Sequence, residues 1–258
     1  MSTDPEVGRL TPTLAAEHLH VRRGGRSVLH GATCGFPRGV TALIGRNGAG
    51  KTTLMRSMIG LLPIDSGSVL FHGASALTSP AALRDLRSRL GWMPQDLSFP
   101  KGLRVSEAVD YAAWLRGSSP RDTAGLRRDA LEQTDLADLA RRRATDLSGG
   151  QARRLGLACA LVGDPEVLLL DEPTVGLDPI QRACLLEIIR DLGADRTVVI
   201  STHLVEDILA TAEHVVVLAD GRVTHASPLQ DLVTQGADAG QATATVTRLL
   251  GGPPREDG

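Results

Sequence analysis

Long apolar runs are missing from this sequence. Runs such as Val167–Leu170 and Val215–Ala219 are strand-sized, and none comes near the roughly 20 residues with which a helix crosses a bilayer. The chain is therefore not expected to span a membrane by itself. Met1–Pro12 carries Asp4 and Glu6 and no apolar stretch, which argues against a secretory signal. Cysteine is scarce: Cys34, Cys159 and Cys184 are odd in number, far apart and without a CxxC pair. Neither a disulfide framework nor a zinc site fits, and three reduced, mostly buried thiols are expected. An excess of charge is missing too. The net charge is −2, which removes the bulk positive field that a nucleic-acid binder turns toward phosphates. Lysine is nearly absent, with only Lys51 and Lys101 against a background of arginine.

What the sequence does have is strand–helix alternation. Val40–Gly45 is a short apolar run ending in glycine, and beyond it Leu54, Met55, Met58, Ile59 and Leu62 fall at helical spacing. That reads as strand, glycine loop, helix. Gly67–Gly73 reads as a further strand. From Arg104 to Arg143 the texture turns helical, with Val105, Val109, Ala112 and Ala113 on one side. A helical insertion over roughly 96–150 is expected, broken at Gly117–Pro120. The α/β pattern then resumes. Val167–Asp171 is continuously apolar up to its aspartate, as in a strand buried on both faces. A helix follows, opened by Asp178 as cap and Pro179 at its first position. Then come a strand ending in Ser201-Thr202-His203, a short helix, and a strand running into Asp220-Gly221. Such alternation predicts an α/β fold with a mostly parallel sheet covered on both faces, its active groups at the carboxyl ends of strands. Residues 1–13 and part of 236–258 are expected to be disordered around one domain over 14–235.

The eight residues Gly45-Arg46-Asn47-Gly48-Ala49-Gly50-Lys51-Thr52 satisfy GxxxxGK[ST], after a strand and opening a helix. In such a loop backbone N–H groups turn inward around a β-phosphate. Lys51 reaches the β and γ oxygens and Thr52 offers a hydroxyl to Mg²⁺. A compact ammonium fits between phosphates where a planar guanidinium does not. A phosphate loop needs an acidic partner for its metal. Asp171, at the carboxyl edge of its strand, can hold Mg²⁺ through water, and Glu172 is the candidate general base for the attacking water. Neighbouring side chains of an extended chain point opposite ways, so a local bend must bring both to one place.

A second anion cradle follows much later. Ser148-Gly149-Gly150 runs into a helix whose apolar side carries Leu155, Ala158 and Leu161. Its first turn presents free N–H groups and about half a positive charge, and the Ser148 hydroxyl can donate as well. Arg153 and Arg154 oppose that dipole, which points to an anion arriving from outside the chain.

Together with the phosphate loop, Leu147-Ser148-Gly149-Gly150-Gln151 resembles the signature of the ATP-binding cassette family, and further motifs align in order. Gln95 in GWMPQD is similar to the family's Q-loop glutamine, Val167–Pro173 to its Walker B segment, Gly176–Pro179 to its D-loop and His203 to its switch histidine. The likeness covers roughly residues 14–235. It implies a P-loop NTPase with a mostly parallel central sheet, an antiparallel β subdomain and an inserted helical subdomain. It implies ATP and Mg²⁺ as cofactors. Gly45, Asn47, Gly48, Ala49, Gly50, Lys51, Thr52 and Thr53 would contact the nucleotide, and Thr52, Gln95 and Asp171 the metal. Glu172, His203 and Gln95 would serve catalysis. It also implies a two-fold dimer, of two copies or with a related chain. In it Ser148, Gly149, Gly150, Gln151 and Asp178 of one subunit would close over the nucleotide held by the other, and hydrolysis would release them.

The likeness has gaps. The family stacks an aromatic on adenine ahead of the phosphate loop, and no aromatic lies between Met1 and Gly35. The aligned place falls near Arg23, whose guanidinium can stack on a purine. Val175 and Ala152 stand where small polar or polar residues are common. The resemblance implies an ATPase at the cytoplasmic face of the membrane. It would work with separate membrane-spanning chains received by the Gln95 loop and by Phe99, Pro100 and Leu103. Gly91–Gly117 is most similar to subunits of drug, antibiotic or lipid exporters, although importers share all the motifs. A soluble cassette ATPase acting on ribosomes or nucleic acid generally has two cassettes or long coiled coils. This chain has one phosphate loop and no sustained heptads. A non-hydrolysing, ATP-gated regulatory module is at odds with Glu172 and His203.

Overall fold

The computed structural model describes residues 12–232, together with 243–245 and 247. The disorder expected for 1–13 and for part of 236–258 falls almost wholly outside those residues. The strands are β1 (Leu14–Arg23), β2 (Arg26–Phe36), β3 (Gly39–Ile44), β4 (Ser66–Phe71), β5 (Ala74–Ser75), β6 (Leu90–Met93), β7 (Val167–Asp171), β8 (Thr197–Thr202), β9 (His214–Ala219) and β10 (Arg222–Pro228). The helices are α1 (Lys51–Met58), α2 (Pro80–Ser88), α3 (Val105–Leu115), α4 (Pro120–Gln133), α5 (Gly149–Leu161), α6 (Pro179–Gly193), α7 (Val205–Thr211) and α8 (Leu229–Leu232). Among the described residues no helix is long and apolar enough to cross a membrane.

The α/β expectation is met by two sheets. One has the order β10-β9-β3-β8-β7-β6, parallel throughout except for β10. The other, β2-β1-β4-β5, is antiparallel. Side chains of a strand alternate between faces, and here the alternation sorts residues into two cores. Val40, Ala42, Ile44, Leu168, Leu170, Val198 and Ile200 pack with the helices α3 to α7. Leu43, Leu169 and Val199 face the other way, onto α1 and the antiparallel sheet. All five residues of β7 and all six of β8 are buried. Each such aliphatic side chain contributes about 1.5–3 kcal/mol of burial, so the centre of the parallel sheet is its best-anchored part.

The helical texture after Arg104 becomes α3, α4 and α5, which pack on one another. Val105, Val109 and Ala113 form the buried side of α3. Gly117, at φ 81, ends that helix, and Pro120 occupies the first turn of α4. The two chain passages at the base of this lobe are stitched together. Val105 N donates to Arg142 O at 2.9 Å and Ala144 N to Leu103 O at 2.8 Å. Of the three cysteines only Cys34 is fully buried; Cys159 is partly covered and Cys184 is exposed. The expected burial of the thiols therefore fails at Cys184, which lies on the outward side of α6.

Candidate active site

Strands β3, β7 and β8 lie side by side and parallel, so the residues beyond their carboxyl ends meet at one edge. Beyond β3 the chain makes the glycine loop. Gly45 is required there because a Cβ would stand 2.2 Å from the carbonyl oxygen of Leu218. Gly50, at φ 107, turns the loop into α1. Neither a capping side chain nor an acidic residue serves the first turn of α1. Its free N–H groups and positive dipole end are left for an anion. Lys51, 7% exposed, lies across the loop, with Nζ donating to Gly45 O at 2.7 Å and standing 3.6 Å from Glu172 Oε1.

The bend required after Asp171 is present. Glu172 has φ 48, a left-handed conformation that non-glycine residues adopt only where their surroundings enforce it. Its N–H donates to Ser201 Oγ at 2.8 Å and approaches Ser201 O at 3.2 Å. The turn sends the Glu172 carboxylate to His203, with Oε2 3.0 Å from Nδ1. An ionised carboxylate is acceptor-only, so against one the proton of that pair sits on Nδ1. Asp171 stays below, fully buried; its Oδ1 accepts from Ser201 Oγ at 2.6 Å. Its Oδ2 is buried and has no partner.

That orphaned oxygen is the test of the Mg²⁺ expectation. A buried carboxylate oxygen without a donor is costly and suits a cation or cation-bound water. Hydroxyl, carboxylate and amide oxygens are the hard donors that Mg²⁺ takes. Thr52, Asp171 and Gln95 offer that set, so the residues present fit the metal.

A cleft of about 580 Å³ collects Arg46 to Thr53, Arg23, Gln95, Glu172 and His203. Gly45 and Asp171 do not line it. Val175, already marked as a departure from the family pattern, also lines the cleft, as does Val28, which carries no motif by which the sequence marks it. Ser148, Gly149, Gly150, Gln151 and Asp178 are not brought there. Ser148 and Gln151 close a capping box, with Gln151 N donating to Ser148 Oγ at 3.3 Å and Ser148 N to Gln151 Oε1 at 3.0 Å. Ser148 and Gly149 are exposed. Ser148, Gly150 and Gln151 line a different cavity, of about 460 Å³, with Arg154, Gln181 and Cys184. The Asp178 carboxylate caps α6, accepting from Ile180 N at 3.0 Å and Gln181 N at 2.9 Å.

The reading of Arg153 and Arg154 as awaiting an outside anion needs correction. Both are bound within the chain. Arg154 pairs with Asp135. Arg153 donates to Gln95 O and, at 3.2 Å, to Val175 O. Burial draws the Arg153 guanidinium below its ordinary pKa while Asp96 pushes it back up.

A family model described as ABC transporter matches residues 29–175. The retinal-specific phospholipid-transporting ATPase ABCA4 of Homo sapiens is 39% identical over 185 residues, 71% of this chain; the match spans 8% of that protein. The cobalt import ATP-binding protein CbiO of Rhodobacter capsulatus is 37% identical over 251 residues, covering 95% of this chain and 86% of that one. The solved structure of cbiO1 from Clostridium perfringens, part of the ABC transporter complex cbiONQ, superposes with a TM-score of 0.75. It is 31% identical, with 85% of this chain and 90% of that one covered. With more than half of its length matched by the family model and nearly all of it aligned to CbiO, this chain belongs to the ABC transporter family, among its ATP-binding subunits.

Proposed function

We propose that this chain hydrolyses ATP in the glycine-loop cleft and that the cycle drives transport through separate membrane-spanning chains. The observation that carries the reading is the convergence of Glu172, His203 and Lys51 at the mouth of the loop. A triphosphate would bring its β and γ oxygens to the free N–H groups of α1 and to the Lys51 ammonium. Lys51 then exchanges Glu172 for phosphate, and the carboxylate is released toward water. Glu172 accepts the proton of the attacking water, and the Nδ1–H of His203 holds the carboxylate in the orientation that does so. Thr52, Gln95 and Asp171 would hold Mg²⁺, which when bound neutralises charge on the phosphates. Val28 and Arg23 supply an apolar wall and a planar cation for the base.

The exposed Ser148–Gly149 turn stands apart from this cleft, so any phosphate it meets is held by another molecule. We propose that it completes the nucleotide site of a second nucleotide-binding chain, in a two-fold dimer. The proposed setting is the cytoplasmic face of the membrane, with the exposed Gln95 loop and Pro100 toward the membrane chains, beside Phe99 and Leu103, which are partly buried against the core. Export is the proposed direction, on the likeness of Gly91–Gly117.

The test is Glu172→Gln with ATP and Mg²⁺. Turnover is expected to fall ~10²–10⁴-fold, as for loss of a general base, with nucleotide still bound and light scattering showing a dimer. Adding Ser148→Arg should abolish the dimer and spare binding to the monomer. Undiminished turnover removes Glu172 as the base. Monomers under every condition remove the shared site.

A further inference from the structure

The loops that carry Glu172 and His203 converge on a side chain that the chemistry does not touch. Asp207, in the first turn of α7, is 1% exposed. Its Oδ2 accepts from Thr174 Oγ1 at 2.6 Å and from Thr202 Oγ1 at 3.0 Å, and its Oδ1 accepts from Arg182 Nε. Thr174 and Thr202 are themselves buried. Their places in the chain are informative. Thr174 stands two residues beyond Glu172, and Thr202 immediately precedes His203. Thr202 Oγ1 also accepts from Leu204 N at 3.1 Å, so its hydroxyl is tied to both sides of His203. Arg182 rises from the first turn of α6, four residues after its Asp178 cap.

A buried carboxylate must have its lone pairs filled, and any donors would meet that need. Here the donors come from three separate segments: the turn after β7, the end of β8 and the start of α6. The turn after β7 is the one held at positive φ. A single carboxylate oxygen shared by two hydroxyls fixes the distance between the loops that bear them.

We propose that Asp207 is a positioning residue for hydrolysis, one that sets Glu172 against His203 through Thr174 and Thr202 and keys that pair to α6 through Arg182. The proposal rests on the reading of Glu172 and His203 as the hydrolytic pair. Asp207 is buried and does not line the cleft. Its effect lies in holding the 3.0 Å contact between Glu172 Oε2 and His203 Nδ1.

Asp207→Asn keeps the size of the side chain but trades one acceptor oxygen for an amide donor, so either the hydroxyl pair or the guanidinium loses its acceptor. Because a misplacement of the order of 1 Å costs ~10²-fold in rate, kcat is expected to fall by about that factor. KM for ATP should stay unchanged, since the glycine loop is untouched. Thr174→Val and Thr202→Val should each lower kcat ~10-fold, and neither should add to Asp207→Asn, as for residues that act as one unit. In whatever turnover His203→Ala retains, Asp207→Asn should have no further effect. Should Asp207→Asn fold poorly, the two threonine variants carry the same test against His203→Ala. A lowered Tm with full kcat, or losses that add fully to those of His203→Ala, overturns the proposal. Glu172→Gln is run beside them. If it alone loses turnover while Asp207→Asn runs normally, only the positioning role falls; if it turns over like the unaltered chain, the hydrolytic pair itself falls.

Discussion

Replacing Ser201 with alanine removes one buried oxygen from the floor of the cleft, and its cost can be worked from the contacts it makes. Ser201 Oγ donates to Asp171 Oδ1 at 2.6 Å and accepts from Glu172 N at 2.8 Å. The other carboxylate oxygen of Asp171 already lacks a partner, so the alanine variant leaves a buried carboxylate with no donor at all. Loss of a hydrogen bond to a charged group costs about 1.5–3 kcal/mol. The Glu172 N–H keeps the Ser201 carbonyl at 3.2 Å, so its share is no more than ~1 kcal/mol. Together the change is about 2–4 kcal/mol. At roughly 2–4 °C per kcal/mol for a chain of this size, Tm should drop by ~4–16 °C. Thermal melts without nucleotide measure it directly. Ser201→Cys, whose thiol is a weak donor, should fall between the two. A Tm for Ser201→Ala within about 2 °C of the parent refutes the reasoning, because Asp171 would then have to be solvated or neutral in the fold.

Two further outcomes are expected. Arg153→Met keeps the aliphatic stem but cuts the tie between Gln95 O and Val175 O. Nucleotide binding, measured by titration, should be unchanged while turnover falls ~10-fold through a displaced Gln95; unaltered turnover would show the tie to be idle. Burial pushes the Cys34 thiol up to about 12. A disulfide reagent at pH 8 should therefore modify exposed Cys184 quickly and reach Cys34 only on unfolding. The native state keeps the Cys34 proton where the unfolded chain releases it, so stability should decline as pH rises above the ordinary thiol range, by up to ~1.4 kcal/mol per unit. Denaturant midpoints at pH 8 and pH 10, compared with those of Cys34→Ala, check the sign; a parallel pair of curves would contradict it.

How much of this was legible in the sequence follows from the range of the contacts involved. The glycine loop is readable because anion binding there uses backbone turned by local conformation, so glycine spacing and one lysine suffice. The bend at Glu172 is readable because two adjacent carboxylates cannot share one side of a strand, and the positive φ supplies the answer. The antiparallel sheet follows from family likeness and not from alternation. Register shifts at three places in the β1–β2 pairing break the two-residue period of its burial. Arg153 and Arg154 are misread because the helix-dipole rule is local, while Asp135 and two distant carbonyls decide the matter. Thr174, Thr202 and Asp207 are ordinary polar letters until the sheet brings their loops together. The Arg153 case shows where legibility ends. Every residue carries a carbonyl, so a side chain that binds carbonyls leaves no mark in its partners' letters. An arginine that joins two loops through their backbone is therefore visible only once the loops have been folded against it.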